Sequence, residues 1–253
     1  MALTRLKNEL TILWRGADLL AVDKPSGLST IPGRGETESL LERLSRQLGV
    51  NRTGDSDPRL RIVHRLDKGT SGVVLLATAI ESQRQLSAQF QNNLISKEYL
   101  ALVAGRVLEE SGVVDLPIAP HPTAPKRMAV VKHGRAARTE WEVVERFRDY
   151  SLLRVRPRTG RTHQIRVHLL AAGMPLAIDP LYNPRTGNAG LLLSRLKRRY
   201  RPSRRERPLI SRLTLHAHSL QFHDQRGNPV YVEAPLPKDL RAALNMLHKY
   251  GRT

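Results

Sequence analysis

The sequence predicts one large domain that mixes β-strands with α-helices, and two observations lead to this prediction. Short runs alternate apolar and polar residues and stop at Gly, Pro or Asp, as the strands of hairpins do; the clearest pair covers residues 138–147 and 150–157. Elsewhere leucines recur at helical spacing, as in residues 37–50 and 237–250. With 253 residues and 40% hydrophobic content, the chain is long enough to bury a substantial core.

Strands are expected wherever apolar residues alternate or run together between turn residues. Besides the hairpin, these stretches are 8–14, 17–23, 61–63, 73–78, 96–105, 213–222 and 230–233. In the stretch 96–105, Tyr99 and Ala101 should point to one face, and Leu100 and Leu102 to the other. Residues 51–59 predict a loop, and the prolines of residues 106–138 predict an irregular excursion with short extended pieces.

Two further helices are predicted from their ends as well as their spacing. Thr78 and Glu81 fit a capping box, so we expect a helix from there to about residue 92, with Leu86 and Phe90 on its apolar side. A second helix is expected within residues 159–173. Thr162 is its expected N-cap and Gly173 its C-terminal glycine, and the inward stripe comprises Ile165, Leu169 and Ala172.

The charge of the chain indicates a polyanionic partner. The sequence has 42 Lys and Arg against 23 Asp and Glu, a net charge of +19, which favours nucleic acid and strongly salt-dependent binding. No run of 18 apolar residues suggests a membrane span, and no secretory signal is evident, so we expect a cytosolic protein with no membrane association. The absence of cysteine excludes disulfides, thiolate nucleophiles and cysteine-ligated metals.

One polar loop between two apolar runs contains a carboxylate among several basic side chains and is the first candidate for a functional site. Asp67 lies there among His64, Arg65 and Lys68, between the strands expected at 61–63 and 73–78. Gly69 and Gly72 should allow positive φ and a sharp turn around Thr70-Ser71. An Asp in such a loop usually caps a turn or pairs with a neighbouring Arg, so the loop alone does not establish a catalytic site.

Five segments together resemble the RluA-type pseudouridine synthases. His64-Arg65-Leu66-Asp67 followed by Thr70-Ser71-Gly72 is similar to the signature of that family, and the resemblance covers roughly residues 10–235. The other segments are Leu20-Ala21-Val22-Asp23-Lys24-Pro25-Ser26-Gly27-Leu28, Lys97-Glu98-Tyr99, Thr159-Gly160-Arg161-Thr162-His163-Gln164-Ile165-Arg166-Val167-His168 and Leu215-His216-Ala217-His218-Ser219-Leu220-Gln221-Phe222. Chance recurrence of several ordered blocks is far less common than that of one short motif.

The resemblance implies a fold and a reaction. The fold is α+β, with a long, bent, mixed but largely antiparallel sheet, flanking helices and a central catalytic cleft. The reaction is the isomerisation of specific uridines to pseudouridine in structured RNA, either rRNA or tRNA, without cofactor or required metal. We expect a monomer and a single catalytic domain over residues 1–253, with no S4-type RNA-binding domain.

The resemblance also implies the roles of individual residues. Asp67 would be catalytic, Tyr99 would pack against the target uracil, and Arg166 would pair with Asp67. Arg65 would fill the space that a flipped uridine leaves. Contacts to substrate or RNA phosphates are expected from His64, Arg161, His163 and Gln164.

The chain departs from relatives in two places. Ile178-Asp179-Pro180 stands where relatives usually have Gly-Asp, and residues 183–210 form a basic insertion. Within the insertion, residues 195–207 contain eight Lys or Arg and one Glu. Such a run is most often solvated, but it can also position RNA. The arginines expected to form this RNA-positioning arm are Arg198, Arg199, Arg204 and Arg205.

Two alternative functions remain open on the sequence. The chain could be a catalytically silent RNA-binding protein on the same fold, although retention of Asp67, Tyr99 and Arg166 argues against this. It could also be a base-flipping nucleic-acid glycosylase, which would release free uracil. The product formed from RNA distinguishes the three functions.

Overall fold

The computed structural model describes residues 9–33, 35–52, 59–183, 190–197, 199–202 and 205–251. The strands in these residues are β1 Thr11–Arg15, β2 Leu19–Lys24, β3 Arg61–Ile62, β4 Ser71–Ala77, β5 Ser96–Ala104, β6 Ser111–Asp115, β7 Ile118–Pro120, β8 Met128–Val130, β9 Arg138–Arg146, β10 Tyr150–Pro157, β11 Leu215–His223 and β12 Pro229–Glu233. The helices are α1 Leu40–Leu48, α2 Ile80–Gln91, α3 Gln164–Ala171, α4 Leu193–Leu196 and α5 Lys238–Tyr250. None of the described helices is long and apolar enough to cross a membrane.

The chain divides into two compact units, which are described separately. The first unit comprises residues 1–96 and 217–235, and the second comprises residues 97–216 and 236–253. Strand β11 contributes to both, because the division falls between His216 and Ala217. The α+β class with a large, mostly antiparallel sheet is confirmed. The single catalytic domain and the central cleft stay predictions.

The first unit is built around β4. Its sheet has the order β1-β2-β4-β11, with β3 also paired to β4 and β12 to β11. All seven residues of β4 are buried, which explains its unbroken apolar run: both faces of the strand are covered. β1 and β2 form an antiparallel hairpin, and β2 continues antiparallel onto β4.

The helices of the first unit begin differently from each other. Ser39 is the N-cap of helix α1, and its hydroxyl accepts the Glu42 N–H. Helix α2 follows Ala79 without a side-chain cap, so the predicted capping box of Thr78 and Glu81 is wrong. The backbone N–H of Thr78 instead donates to the Asp18 carbonyl at 2.8 Å, which prolongs the pairing of β4 past its end.

The second unit has a sheet of order β5-β10-β9-β6 and a separate β7-β8 pair. β9 and β10 form the predicted hairpin, with an irregularity between Leu152 and Leu153. Strand β5 alternates as expected: Leu100 and Leu102 enter one hydrophobic cluster, and Ala101 enters another. The first cluster contains α5 residues and the second contains α3 residues, so these two helices cover opposite faces of β5.

Helix α3 differs from its prediction at its start and in its stripe. It begins at Gln164, and its N-cap is His163 in a left-handed conformation (φ 55°), not Thr162. Ile165 and Leu169 are buried as predicted, but Ala172 is exposed because the helix ends there. Gly173 follows with φ 76°, the conformation that favours glycine after a helix.

The described parts of the insertion are attached to the core of the second unit. Leu191 exchanges backbone hydrogen bonds with residues 209 and 210, and Leu191, Leu196 and Ile210 lie in the cluster that contains α5. Apolar residues therefore anchor the described stretch at residues 191–196 and 209–210, and its described arginines are exposed: Arg195, Arg199, Arg201, Arg205 and Arg207.

Candidate active site

Asp67 lies half-buried in the loop between β3 and β4 of the first unit. Its carbonyl accepts the Thr70 N–H at 3.0 Å, which closes a tight turn directly after it. Gly72 has φ 117°, and a Cβ there would lie 2.0 Å from the Ala217 carbonyl oxygen, so only glycine fits. The positive φ predicted for Gly69 is wrong, because the turn closes without a left-handed residue at that position.

Hydrogen bonds from an earlier segment hold the backbone on both sides of Asp67. Before it, the Thr30 hydroxyl accepts the Leu66 N–H at 3.1 Å and donates to the Leu66 carbonyl at 3.0 Å. After it, the Ser26 hydroxyl donates to the Gly69 carbonyl at 2.6 Å. Because the residues flanking Asp67 are fixed in this way, the direction in which its carboxylate leaves the backbone is fixed too.

A fully buried lysine completes this support. The ammonium of Lys24 donates to the carbonyls of Leu28 at 2.7 Å, Pro25 at 3.1 Å and Lys68 at 3.3 Å. A buried charge is costly unless it is hydrogen-bonded, and three carbonyls meet that requirement. The sequence signal for this role of Lys24 is its position directly after an apolar strand and before Pro25.

His64 and Arg65 have different surroundings. The Nε2 atom of His64 accepts the Leu75 N–H at 2.9 Å, so the ring proton is on Nδ1, and the ring stacks on Phe90 at 4.5 Å between centroids. These contacts give His64 a role in holding the loop against β4 and α2. Arg65 is exposed. The substrate contacts predicted for both residues stay predictions.

Tyr99 lies in the second unit, half-buried on β5 opposite Val155 of β10. Its ring packs against the cluster that contains Ile165 and Leu169 of α3, on the face predicted from the alternation of β5. Tyr99, the residue expected to pack against uracil, is therefore held by packing on helix α3 and by pairing of its strand with β10.

Arg166 is buried and forms a two-pronged ion pair with Asp179. Its Nε and Nη2 atoms each donate to one carboxylate oxygen of Asp179 at 2.8 Å, and Arg166 and Asp179 are 8% and 1% exposed. This geometry fixes the plane of the guanidinium. Asp179 also accepts the N–H groups of Leu181 and Tyr182. It therefore stabilises the turn at residues 179–182 as well as pairing with the charge of Arg166.

Asp179 is a site residue that sequence analysis missed. The residues around it in the segment 176–181 are otherwise apolar or proline. A lone carboxylate in such a segment is seldom fully buried without a cationic partner, and that was the available signal.

Tyr182 connects three of the site residues. Its hydroxyl accepts the Met128 N–H at 2.7 Å and lies 2.8 Å from His163 Nδ1. The hydroxyl therefore bridges the backbone of Met128 and the ring of His163. The Arg166 guanidinium lies 4.8 Å from the centroid of the Tyr182 ring, and burial raises the pKa of the Tyr182 hydroxyl.

Gln164 is buried, and its amide is fully used within the second unit. The amide nitrogen donates to the Arg138 carbonyl and the Thr139 hydroxyl, both at 3.0 Å. The amide oxygen accepts the Thr159 hydroxyl at 2.8 Å and the Arg161 N–H at 2.9 Å. These bonds fasten the 159–161 loop, so the geometry favours a positioning role, and direct RNA contact stays a prediction.

His168 extends the network from Gln164 inward. Its Nε2 lies 2.9 Å from the Leu116 carbonyl and therefore donates, and its Nδ1 accepts the Thr139 hydroxyl at 2.8 Å. Burial lowers the pKa of His168, which agrees with a neutral ring. His168 is thus a structural residue, and sequence analysis did not assign this network.

Basic side chains gather around the 159–161 loop. Lys97 donates to the Thr159 carbonyl at 3.1 Å, and burial, with repulsion from Arg158 and Arg161, lowers the pKa of Lys97 from 10.5 to about 8. Burial, with repulsion from Arg135, lowers the pKa of Arg161. Arg161 therefore lies between two other cations of the second unit.

The arginines of the predicted RNA arm are only partly described. Arg199 and Arg205 are exposed, and Arg199 has a positive φ of 67°. Arg198 and Arg204 lie outside the described residues. The arm stays a prediction.

Comparison with known proteins identifies the family. A family profile described as RNA pseudouridylate synthase matches residues 18–171 of the chain. The chain belongs to this family. Over 244 residues it is 41% identical to Ribosomal large subunit pseudouridine synthase D of Nitrosomonas europaea, covering 94% of this chain and 65% of that protein. It is also 36% identical to the protein of the same name in Xanthomonas campestris, covering 95% of this chain and 70% of that protein.

A solved structure has the same fold. Human RNA Pseudouridylate Synthase Domain Containing 1 superposes with a TM-score of 0.70 at 25% identity, covering 91% of this chain and 84% of that chain. The chain spans slightly less than two thirds of the Nitrosomonas protein. RNA pseudouridylate synthases isomerise uridine to pseudouridine, and the family implied by the sequence resemblance is confirmed.

Proposed function

We propose that the chain isomerises specific uridines to pseudouridine in ribosomal RNA, with Asp67 as the catalytic residue. The proposal depends most on one observation: the backbone on both sides of Asp67 is held by Thr30 and Ser26, so a half-buried carboxylate is presented in a fixed direction. Preorganisation of this kind is what a catalytic carboxylate requires. The choice of ribosomal over transfer RNA follows the names of the relatives.

The isomerisation conserves every atom of the nucleotide. The C1′–N1 bond breaks, the uracil turns, and a C1′–C5 bond forms; C5 loses a proton and N1 gains one. The reaction needs no oxidant and no leaving group. Asp67 would act by attacking C1′ or C6, or by removing a ribose proton, and each of these roles requires an ionised carboxylate.

We assign Arg166 to the ionisation of Asp67, as the family resemblance implies. A guanidinium beside a carboxylate favours the charged form of that carboxylate. The two-pronged bond to Asp179 supports this assignment, because it fixes the orientation of the guanidinium. Asp179 and Tyr182 would then be positioning residues for Arg166.

Substrate entry requires the uridine to leave its stack. In this proposal Tyr99 packs on the flipped uracil, and the exposed Arg65 enters the vacated space. The support of Tyr99 by α3 and β10 would keep its ring in place when the base arrives. The exposed arginines of residues 195–207 would contact phosphates outside the reacting nucleotide.

Product analysis tests the proposal. Purified protein is incubated with a ribosomal RNA transcript, and pseudouridine and free uracil are both quantified. Pseudouridine that disappears in Asp67→Asn, and persists in a control Asp149→Asn on the exposed β9–β10 turn, supports it. Free uracil would establish a glycosylase, and binding without any product would establish a silent RNA-binding protein.

The RNA class is tested in cells. Pseudouridine positions are mapped in total RNA from a deletion strain and its parent. A site lost only from ribosomal RNA supports the proposal, whereas a site lost only from transfer RNA would reject the choice of ribosomal RNA.

A further inference from the structure

Three cations of the second unit converge on the loop before α3. Lys97 comes from β5, Arg135 from the turn after β8, and Arg161 from the loop itself. Arg161 Nε donates to the carbonyl of Ala136, the residue after Arg135, and Lys97 donates to the carbonyl of Thr159, two residues before Arg161. Repulsion from Arg161 contributes to the lowered pKa of Lys97, and repulsion from Arg135 to the lowered pKa of Arg161. Because like charges held together cost free energy, their proximity needs an explanation other than stability of the fold.

Eight described arginines of the second unit have carboxylate partners. The paired residues are Arg138, Arg146, Arg148, Arg154, Arg156, Arg158, Arg166 and Arg212. Within the described part of the chain, no acidic side chain pairs with Lys97, Arg135 or Arg161. A cluster that the fold leaves without internal counterions is suited to an external anion.

Hydrogen bonds hold the segments that carry the cluster. The Nε atom of Arg161 donates to the Ala136 carbonyl, and Lys97 donates to the Thr159 carbonyl, each at 3.1 Å. The backbone of Arg135 exchanges two hydrogen bonds with Ile118, at 2.8 and 2.9 Å. These contacts hold the side chains of Lys97 and Arg161 and the backbone of Arg135, and none of them neutralises a charge.

The backbone that carries the cluster is constrained further at two points. Gly134, directly before Arg135, approaches Ile118 so closely that a Cβ would lie 2.7 Å from its backbone. Gln164 ties Thr159 and Arg161 together from the buried side. The backbone from which the three cations extend is therefore held in place when no ligand is bound.

We propose that Lys97, Arg135 and Arg161 form a phosphate site for the RNA chain next to the nucleotide that Tyr99 contacts. Lys97 and Tyr99 are two residues apart on β5, so their side chains leave the same face about 7 Å apart. That spacing places the site within one nucleotide of the target. Two guanidinium groups and an ammonium suit phosphodiester oxygens, which accept forked hydrogen bonds.

This inference rests on the proposed function for its ligand, but its test does not depend on turnover. Binding of a ribosomal RNA fragment is measured from 50 to 300 mM salt, with all proteins carrying Asp67→Asn so that the RNA is unchanged. In the double variant Arg135→Gln/Arg161→Gln, the slope of log affinity against log salt should fall by about 1.4 to 1.8, the loss of two phosphate contacts.

A matched control removes the same charge from the same unit. Arg106→Gln/Arg241→Gln replaces two exposed arginines, neither of them in a described ion pair, and should change the slope by less than half as much. An equal effect in both pairs would overturn the site, because the charge would then act only through the general field. An unchanged slope in Arg135→Gln/Arg161→Gln would overturn it as well.

Failure of the site and failure of the proposed function give different results. If the protein with Asp67 intact forms pseudouridine but the slope is unchanged in Arg135→Gln/Arg161→Gln, the phosphate site is wrong. If it forms no pseudouridine while that slope falls as expected, the site stands as an RNA-phosphate site and the catalytic proposal is wrong.

Discussion

Replacing Lys97 by Met should make the protein more stable at neutral pH and weaken its binding to RNA. The pKa of Lys97 is about 8 in the folded protein against 10.5 for an ordinary lysine, a difference that corresponds to about 3 kcal/mol. The variant loses the hydrogen bond from Lys97 to the Thr159 carbonyl, which contributes about 1 kcal/mol. The net expectation is a gain of about 2 kcal/mol in the free energy of unfolding at pH 7.

The pH dependence of this difference follows from the direction of the shift. Below pH 8, Lys97 is charged in both folded and unfolded protein, so the full penalty is present. Between pH 8 and 10.5 the unfolded chain binds more protons, so the stability of the wild type rises with pH. From pH 7 to 9.5 the free energy of unfolding of the wild type should rise by about 2 kcal/mol relative to that of the variant. The rise should be about 1.4 kcal/mol per pH unit above pH 8.

Urea unfolding at pH 7 and pH 9.5 measures both effects. The control is Lys126→Met, which replaces an exposed lysine of the same unit and should leave the pH dependence of stability unchanged. A Lys97→Met protein that is less stable than wild type at pH 7, with the same dependence on pH, would refute the reasoning. Reduced RNA affinity in the more stable variant would show that Lys97 is retained for binding.

Four further outcomes are expected. Asp67→Asn should abolish isomerisation while RNA affinity stays within a few-fold, measured by product analysis and equilibrium binding; turnover near wild type would contradict the assignment. Tyr99→Phe should keep most binding and lose much of the rate, if the hydroxyl assists a later proton transfer; full activity would leave Tyr99 a packing residue. Asp179→Asn should lower the free energy of unfolding by about 3 kcal/mol, because it breaks the two-pronged ion pair with the buried Arg166, whereas Asp239→Asn in the more exposed pair with Arg212 should cost clearly less; equal costs would contradict the burial argument. Serine at all four arm positions should reduce the slope of log RNA affinity against log salt by up to about 0.7 to 0.9 per lost contact, with little change in turnover at saturating RNA. The four positions are Arg198, Arg199, Arg204 and Arg205. An unchanged slope would show that the arm does not contact RNA.

The secondary structure was largely predictable because it depends on local periodicity. The β9–β10 hairpin and the alternation of β5 follow from a repeat of two residues, and α1 and α5 from apolar residues at helical spacing. Helix starts were less predictable. Thr78 and Thr162 have the right residue type for an N-cap, but the contacts of Thr78 with residue 18 and the left-handed backbone of His163 decide otherwise.

The family was also predictable from the sequence, because the motif around Asp67 is specific and the other blocks occur in order. The contacts that hold the loop of Asp67 could not be predicted from the sequence. Lys24 reaches the loop of Asp67 across 44 residues of chain, and the Thr30 hydroxyl reaches Leu66 across 36. Neither contact leaves a local pattern, since each depends on how separate strands and loops come together.

The sequence by itself determined which residues carry charge and which alternate; only the tertiary structure decided which charges are neutralised. In the linear sequence, Arg161 and Arg166 are both arginines of one motif. In the fold, Arg166 is buried against Asp179, whereas Arg161 lies beside Lys97 and Arg135 with no carboxylate partner among the described residues. The physical reason is that Coulomb energies depend on distance and burial, and both are fixed by segments far apart in the chain.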